Sequence, residues 1–270
     1  MGVKVTVGAN FGLDMTALDL SSIWYAYDTV ASSKLFRAYY SDGYIDEFKG
    51  SGFTFDRDGV PTGGTATSYA AYSDGQRFFT IDGASMSVKS IVKTSLTYST
   101  KDDLSLIKAE LSGNDTFTGG SGQDVLFGYG GNDTMKGNRG NDLLVGGAGN
   151  DKIEGGRGQD FLRGEAGSDT FIFRYKEDST VDSFGQDTIF DFTSSDRIDV
   201  SLIDANSKSG GNQAFSFVGT KDFSGKAGEL RYEKYASDTY IYGDTNGDGK
   251  ADFGIHLDDA VSLKAGYFFL

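Results

Sequence analysis

The 270-residue chain contains no cysteine, one proline and one histidine, His256. Without cysteine there is no disulfide and no thiolate that could bind a metal or attack a substrate. A single histidine also excludes zinc sites built on two or three histidines, including the HExxH helix of metalloproteases. No run of about 18 apolar residues occurs, so the sequence predicts no transmembrane helix.

Positive charge is scarce as well. The chain has 25 Lys and Arg against 39 Asp and Glu, which gives a net charge of −14. This balance argues against nucleic acid and anionic membranes as partners and favours either a cation as partner or simple solubility. The first residues contain no apolar segment of the kind found in a cleaved signal peptide, so none is predicted.

Glycine, by contrast, is abundant, and 17 of the 39 glycines lie in residues 110–172. In this segment an aspartate recurs every nine residues, with glycine two positions before it and a large apolar residue two positions after it. The unit GGxGxDxUx, where U is the large apolar residue, is complete in residues 119–127, 146–154 and 155–163. The U residues are Phe117, Leu126, Met135, Leu144, Ile153, Leu162 and Phe171.

This period predicts a parallel β-roll. Three residues, xUx, form a short strand, and the other six form a turn whose glycines permit φ > 0 and close stacking. Two units make an 18-residue coil, and stacked coils bury a thin core of U residues. Carboxylate and carbonyl oxygens of successive turns suit Ca²⁺, which accepts 6–8 oxygen ligands. Pairing aspartates 18 residues apart predicts about five ions or more.

The predicted calcium ligands come from the turns of the repeats. The nine-residue spacing continues weakly through Asp178, Asp187 and Asp196, and Asp187 is included because glycine still precedes it. The full set is Asp115, Gly122, Asp124, Gly131, Asp133, Gly140, Asp142, Gly149, Asp151, Gly158, Asp160, Gly167, Asp169 and Asp187. Without metal, stacked carboxylates repel and glycine-rich backbone loses much entropy on ordering, so calcium binding and folding should coincide.

The array resembles the RTX family of bacterial proteins exported by type I secretion. Residues 186–192, 196–201, 227–232 and 243–253 are similar to the segment that follows the roll in serralysin-type metalloproteases. The resemblance covers residues 110–270. It implies an extracellular, calcium-folded export module with an uncleaved C-terminal signal and a partner ABC transporter. The tail at residues 265–270 departs from the family because no acidic residue stands directly before it, the nearest being Asp259, and the protease half is absent.

Residues 244–252, DTNGDGKAD, resemble the start of an EF-hand loop. The twelfth position is Ile255, where an EF-hand needs a bidentate glutamate. We therefore predict a plain hairpin turn between strands at residues 239–242 and 253–257. His256 then lies in a strand, with a structural role.

Residues 1–109 are rich in aromatic side chains. Alternating patterns predict strands at residues 52–55 and 77–81, and turn signals occur at residues 56–59, 61–64 and 73–75. Short helices are predicted at residues 15–25, with Asp14 as N-cap, and at residues 101–111. The predicted fold class is all-β: a small, mostly β N-terminal domain, a parallel β-roll and an antiparallel β C-terminal region.

We therefore predict three domains: residues 1–109, the calcium-binding roll at 110–172 and a serralysin-like region at 173–270. The leading hypothesis is a secreted, non-enzymatic calcium-binding protein whose N-terminal domain binds a surface polysaccharide, a matrix component or a protein. One alternative is a small extracellular hydrolase or lyase with a carboxylate- or tyrosine-based site. Its candidate acids are Asp42, Asp46, Glu47, Asp56 and Asp58, whose turn-like contexts favour a structural role. Another alternative is a self-associating or membrane-active RTX protein.

Overall fold

The computed structural model describes residues 2–18, 20, 26, 28–96 and 100–270. These residues form one sheet of 12 strands and one of 8 strands. Within the described ranges, no helix is both long enough and apolar enough to cross a membrane.

The N-terminal strands are β1 (Lys4–Val7), β2 (Asp28–Ser32), β3 (Leu35–Tyr39), β4 (Ile45–Phe55), β5 (Pro61–Ser73) and β6 (Gln76–Ser87), followed by helices α1 (Val88–Ser95) and α2 (Thr100–Glu110). The repeat segment forms β7 (Thr116–Thr118), β8 (Val125–Phe127), β9 (Thr134–Arg139), β10 (Leu143–Ala148), β11 (Lys152–Arg157), β12 (Phe161–Ala166) and β13 (Thr170–Ile172). The C-terminal strands are β14 (Thr188–Ile189), β15 (Arg197–Asp199), β16 (Ser216–Gly219), β17 (Glu229–Lys234), β18 (Thr239–Asp244), β19 (Phe253–Leu257) and β20 (Phe268–Phe269).

The repeats fold into the predicted parallel β-roll. Strands β7, β9, β11, β13 and β15 stack in one sheet, and β8, β10, β12 and β14 stack in the other. Partners within the repeats are 18 residues apart, as in Phe117 with Met135 and Leu126 with Leu144. All seven U residues are completely buried, at 0% exposure, which confirms the predicted core.

The N-terminal part is an antiparallel meander of β2 to β6, joined to the roll by β1. Strand β1 pairs antiparallel with β6 on one side and parallel with β7 on the other. The predicted strands at residues 52–55 and 77–81 lie within β4 and β6. The predicted turn at residues 73–75 joins β5 to β6, and the positive φ angles of Asp74 and Gly75, 50° and 75°, suit a tight hairpin.

Two local predictions for this part were wrong. Residues 61–64 are not a turn, because Pro61 begins β5, a place where its missing N–H costs no ladder bond. The helix predicted from residue 15 is a single 3₁₀ turn, Met15–Ala17, capped by Asp14 as expected. It ends because Leu18 is extended. Residues 21–25 and Tyr27, which include the aromatic residues Trp24 and Tyr25, lie outside the described residues.

The C-terminal region closes the far end of the roll. Strands β17, β18 and β19 form an antiparallel meander, in agreement with the predicted strands at residues 239–242 and 253–257. Strand β19 then pairs parallel with β14, and β20 pairs parallel with β15. One sheet therefore runs continuously from the N-terminal meander through the roll to the C-terminal tail.

Candidate metal centre

The repeat aspartates form two buried columns, one along each edge of the roll. In one column the backbone N–H groups of Asp115, Asp133 and Asp151 each donate to Oδ1 of the aspartate 18 residues ahead, at 2.8–2.9 Å. The other column repeats this bond from Asp124 to Asp142 and from Asp142 onward, at 2.8 Å. One oxygen of each carboxylate in these bonds is thus fixed by backbone hydrogen bonding.

The second carboxylate oxygen is left without a partner in most of these aspartates. Among the described residues, six Oδ2 atoms are buried and accept no hydrogen bond: those of Asp115, Asp133, Asp142, Asp151, Asp160 and Asp187. A buried, unsatisfied oxygen destabilises the fold, and a charged one does so more strongly. Rows of such oxygens are the donor set that a hard cation such as Ca²⁺ satisfies.

Two glycine columns keep the turns open around these oxygens. The first lies five residues before each aspartate, as Gly137 does before Asp142, and the second lies two residues before it, as Gly140 does. A Cβ atom on Gly137 would overlap Asp142 Oδ2 and the Gly155 carbonyl oxygen. Gly140 has a φ of 125°, and a Cβ atom there would overlap the Gly122 carbonyl oxygen. The predicted glycines are those of the second column, which lies against the carbonyl groups of neighbouring coils. The first glycine of the GGxGxDxUx unit belongs to the first column, which was predicted as part of the turn but was not included in the predicted site. Its members are Gly119, Gly128, Gly137, Gly146, Gly155 and Gly164.

The columns continue past the repeats by a longer step. The Asp160 N–H donates to Asp187 Oδ1, and the Asp169 N–H donates to Asp196 Oδ1, both at 2.9 Å and 27 residues apart. Asp178 leaves the column, since its Oδ2 accepts two N–H groups of its own turn. Asp196 was not among the predicted ligands, although the nine-residue spacing marks it.

At the other end, residues 2–17 form an extra coil, here called the cap coil. The Val3 N–H donates to Asp115 Oδ1 and the Leu13 N–H to Asp124 Oδ1, both at 2.6 Å. Val3 and Leu13 thus take the backbone positions that aspartates hold in the repeats. Two residues later, Val5 and Met15 are each 1% exposed and occupy the U positions. No repeat motif marks this segment, so the sequence did not predict it.

Burial raises the pKa of the stacked carboxyl groups in the metal-free chain. The pKa of Asp142 rises to about 8, and neighbouring aspartates add to the effect of burial. The pKa values of Asp133 and Asp160 rise to about 7 and that of Asp169 to about 6. Without a cation, Asp142 therefore holds its proton near neutral pH more readily than Asp133, Asp160 and Asp169 do.

We expect the calcium-free fold to become less stable as the pH rises. Unfolded aspartate has a pKa of about 3.9. Because the folded pKa values are higher, up to about 8 at Asp142, the folded chain binds more protons over this range. Its free energy of unfolding therefore falls between about pH 4 and pH 8. Circular dichroism of the calcium-free chain from pH 5 to pH 8 follows this change as a loss of β-sheet signal, and a β-sheet signal that grows toward pH 8 would contradict it.

Two of the candidate acids are not in turns, contrary to the prediction. Asp46 and Glu47 lie in the middle of β4, where they are 8% and 2% exposed and face opposite sides of the sheet. The two oxygens of Asp46 accept the hydroxyl groups of Tyr40 and Tyr69, each at 2.7 Å. The residues around Asp46 and Glu47 are typical of turns, so the sequence did not indicate that both lie in a buried strand of the meander.

Glu47 and Asp56 both have partners in their own neighbourhood. Glu47 forms ion pairs with Arg37 and Lys49, the latter at 2.6 Å. Asp56 accepts backbone N–H groups of the predicted turn at residues 56–59, including that of Asp58, at 2.9 Å. These side chains stabilise local structure.

A cleft of about 360 Å³ opens beside Asp46. Its lining includes Tyr40, Asp42, Tyr44 and Tyr69, together with Leu18 of the segment that follows the cap coil. Tyr44 is 48% exposed. Tyrosine faces and carboxylates converging on one concave surface can stack on a ligand and accept its hydroxyl groups.

The EF-hand-like loop is the turn of the β18–β19 hairpin. Asp244 accepts the N–H groups of Gly247 and Gly249 at 2.6 and 2.9 Å, and Asp252 accepts the Thr245 N–H and hydroxyl at 2.8 and 2.7 Å. These carboxylates are satisfied within the loop itself, in contrast to those of the roll.

Comparison with known families agrees with this geometry. The family described as Peptidase M10 serralysin C terminal matches residues 99–267, which is more than half of the chain. The chain belongs to the serralysin C-terminal family. It is a secreted calcium-binding β-roll protein with RTX repeats, of the type I export class. No curated protein matches the chain significantly.

Solved structures also resemble the chain. The AlgE6R3 subunit of the mannuronan C5-epimerase from Azotobacter vinelandii is 28% identical, over 58% of this chain and 78% of that one, with a TM-score of 0.23. The AlgE6R2 subunit is 23% identical, over 58% and 88%, with a TM-score of 0.29. Extracellular lipase LipA from Serratia marcescens is 17% identical, over 97% of this chain and 32% of its own, with a TM-score of 0.38.

Proposed function

We propose that this protein leaves the cell unfolded through a type I ABC transporter and folds outside when calcium enters the aspartate columns. The observation that carries this proposal is the set of six buried Oδ2 atoms with no partner among the described residues. Bound calcium supplies the positive charge that these oxygens need. The site would use the predicted aspartates and turn carbonyls and take about five ions.

In this proposal the chain's own residues prepare the site before the metal arrives. The backbone N–H groups hold one oxygen of each aspartate, so the other is aimed into the turn. The glycine columns leave space beside it, as Gly137 does for Asp142. Residues 110–172 form the calcium-binding unit, and residues 173–270 carry the export signal and close the roll. The tail strand β20 belongs to this last unit.

We propose that residues 1–109 are the effector and bind a surface polysaccharide in the cleft beside Asp46. Tyr44 offers an exposed ring face there, and Asp42 offers an exposed carboxylate. Sugars combine apolar ring faces with hydroxyl donors, which such a surface accommodates. Self-association of rolls end to end has less support, because the cap coil and β20 cover the ends.

Glycan-array binding of the full chain in calcium tests the effector role. We use the full chain because β1 is shared between the meander and the roll. Tyr44→Ala and Asp42→Asn should each weaken glycan binding about tenfold, the effect of losing roughly 1.4 kcal/mol. Tyr235→Ala, which removes a tyrosine of similar exposure (55%) elsewhere, should leave binding unchanged.

The outcomes of this experiment separate the hypotheses. Absence of glycan binding by the folded, calcium-loaded chain would overturn the effector role and leave the calcium-folding role standing. Cleavage of a bound glycan by the wild type but not by Asp46→Asn would favour the hydrolase or lyase hypothesis instead.

The cap coil should couple the stability of the N-terminal part to calcium binding by the roll. Met15→Ala removes a side chain that is 1% exposed and should lower the free energy of unfolding by about 2–5 kcal/mol. Because cap and roll share hydrogen bonds, the calcium concentration needed for folding should rise as well. Leu96→Ala, at a residue that is 65% exposed, is the control and should change neither quantity. Calcium titrations followed by circular dichroism compare the two variants, and equal midpoints would contradict the coupling.

A further inference from the structure

The only histidine of the chain lies beside two aspartates outside the calcium columns. One ligand atom from each of Asp238, His256 and Asp258 lies within 4.8 Å of the others. Asp238 directly precedes β18, His256 lies in β19 and Asp258 directly follows β19. Three polar groups from two neighbouring strands thus converge at one end of the C-terminal meander.

The surrounding strands fix the imidazole ring of His256. The ring stacks on Tyr240, its partner on β18, with centroids 4.7 Å apart. Its Nδ1 lies 3.1 Å from Thr188 Oγ1 on β14, the neighbouring strand on the other side. Its Nε2 lies 2.9 Å from Asp238 Oδ1. The ring is therefore held on one face and at both nitrogen atoms.

Backbone hydrogen bonds fix the positions of the two aspartates. The Asp258 N–H donates to the Ile189 carbonyl at 3.0 Å, and the Asp238 carbonyl accepts the Tyr235 N–H at 2.8 Å. Asp238 Oδ2 also accepts the Ser237 hydroxyl. The contact with His256 accounts for Asp238, but it leaves without a role the exposed carboxylate of Asp258, one oxygen of which lies within 4.8 Å of the other two ligand atoms.

We propose that Asp238, His256 and Asp258 form a second metal site, which binds a transition-metal ion such as Zn²⁺. An imidazole nitrogen is a ligand for zinc, copper, nickel and iron, whereas Ca²⁺ takes oxygen ligands. When Nδ1–H donates to Thr188 Oγ1, the Nε2 lone pair is available to bind the metal, and metal-bound histidines usually donate their other ring N–H to a neighbouring oxygen in this way. Three protein ligands leave a position open to water.

Zinc titration of the full chain in saturating Ca²⁺ tests this site, because calcium then occupies the roll and keeps it folded. Binding is measured by competition with a fluorescent zinc chelator. We expect one zinc ion whose affinity falls about tenfold or more in Asp258→Asn and in His256→Gln. Asp259→Asn removes the charge of the adjacent exposed residue and should leave zinc affinity unchanged.

Nuclear magnetic resonance gives a second readout, since the single histidine produces one set of imidazole ¹⁵N signals. With a zinc chelator present as competitor, one equivalent of Zn²⁺ should shift the Nε2 signal of the wild type more than that of Asp258→Asn. The site is overturned by equal zinc affinity of Asp258→Asn and Asp259→Asn, by a loss confined to His256→Gln, or by unshifted imidazole signals. Asp258→Asn changes an exposed side chain, so this comparison holds even if His256→Gln fails to fold.

Discussion

Removing calcium with a chelator at pH 8 should unfold the roll, residues 110–172, together with its extension through Asp187 and Asp196, and should increase amide hydrogen exchange in the N-terminal meander. Each unsatisfied buried polar group costs about 1–3 kcal/mol, and a charged one costs more. Six such oxygens, all within the roll and its extension, reach or exceed the net stability of a typical domain, about 5–15 kcal/mol. Glycine-rich turns add a large conformational entropy that calcium binding offsets.

Far-UV circular dichroism and amide hydrogen exchange measure this transition. We expect most of the β-sheet signal to disappear and to return when calcium is added back. The N–H groups of Val3 and Leu13, which donate to Asp115 and Asp124, should lose protection together with the roll. Mg²⁺ should not replace Ca²⁺, because it demands shorter, octahedral coordination. A chelated chain that keeps its β signal and its protection would contradict calcium-dependent folding.

Gly137→Ala should disable one calcium site of the roll while Gly130→Ala leaves all of them intact. An added Cβ atom at Gly137 would overlap Asp142 Oδ2 and the Gly155 carbonyl oxygen. Overpacking of this kind costs about 1–3 kcal/mol, and the loss of an ion adds to it. The calcium midpoint for folding should therefore rise by about tenfold or more, since about 1.4 kcal/mol corresponds to a factor of ten.

Gly130 is the matched control because it lies in the same roll but has space around it. The nearest atom to a Cβ atom there would be the Ala148 carbonyl oxygen, 3.8 Å away. Gly130→Ala should change stability by no more than about 0.5 kcal/mol. Calcium titrations of both variants decide the matter: identical midpoints would show that the first glycine column has no part in the site.

The structure also explains where sequence reasoning about the candidate acids failed. Asp46 and Asp56 both lie near turn-forming residues, but only Asp56 caps a turn. Asp46 tolerates burial in β4 because Tyr69, on the neighbouring strand β5, donates its hydroxyl to it. That partner is 23 residues away in the sequence, so no local pattern indicates the pairing.

The sequence by itself determined the roll. Its nine-residue period placed Phe117 and Leu126 in the core, and Asp133 and Asp142 in the turns, because every repeat meets the same neighbours and local spacing therefore fixes tertiary position. The tertiary structure alone decided how the array ends. Val3 and Leu13 take aspartate positions in the cap coil, and Asp187 joins its column by a step of 27 residues. The reason is physical: the end coils expose unpaired N–H and carbonyl groups, and any segment that reaches them with the right backbone geometry can pair there, whatever its side chains.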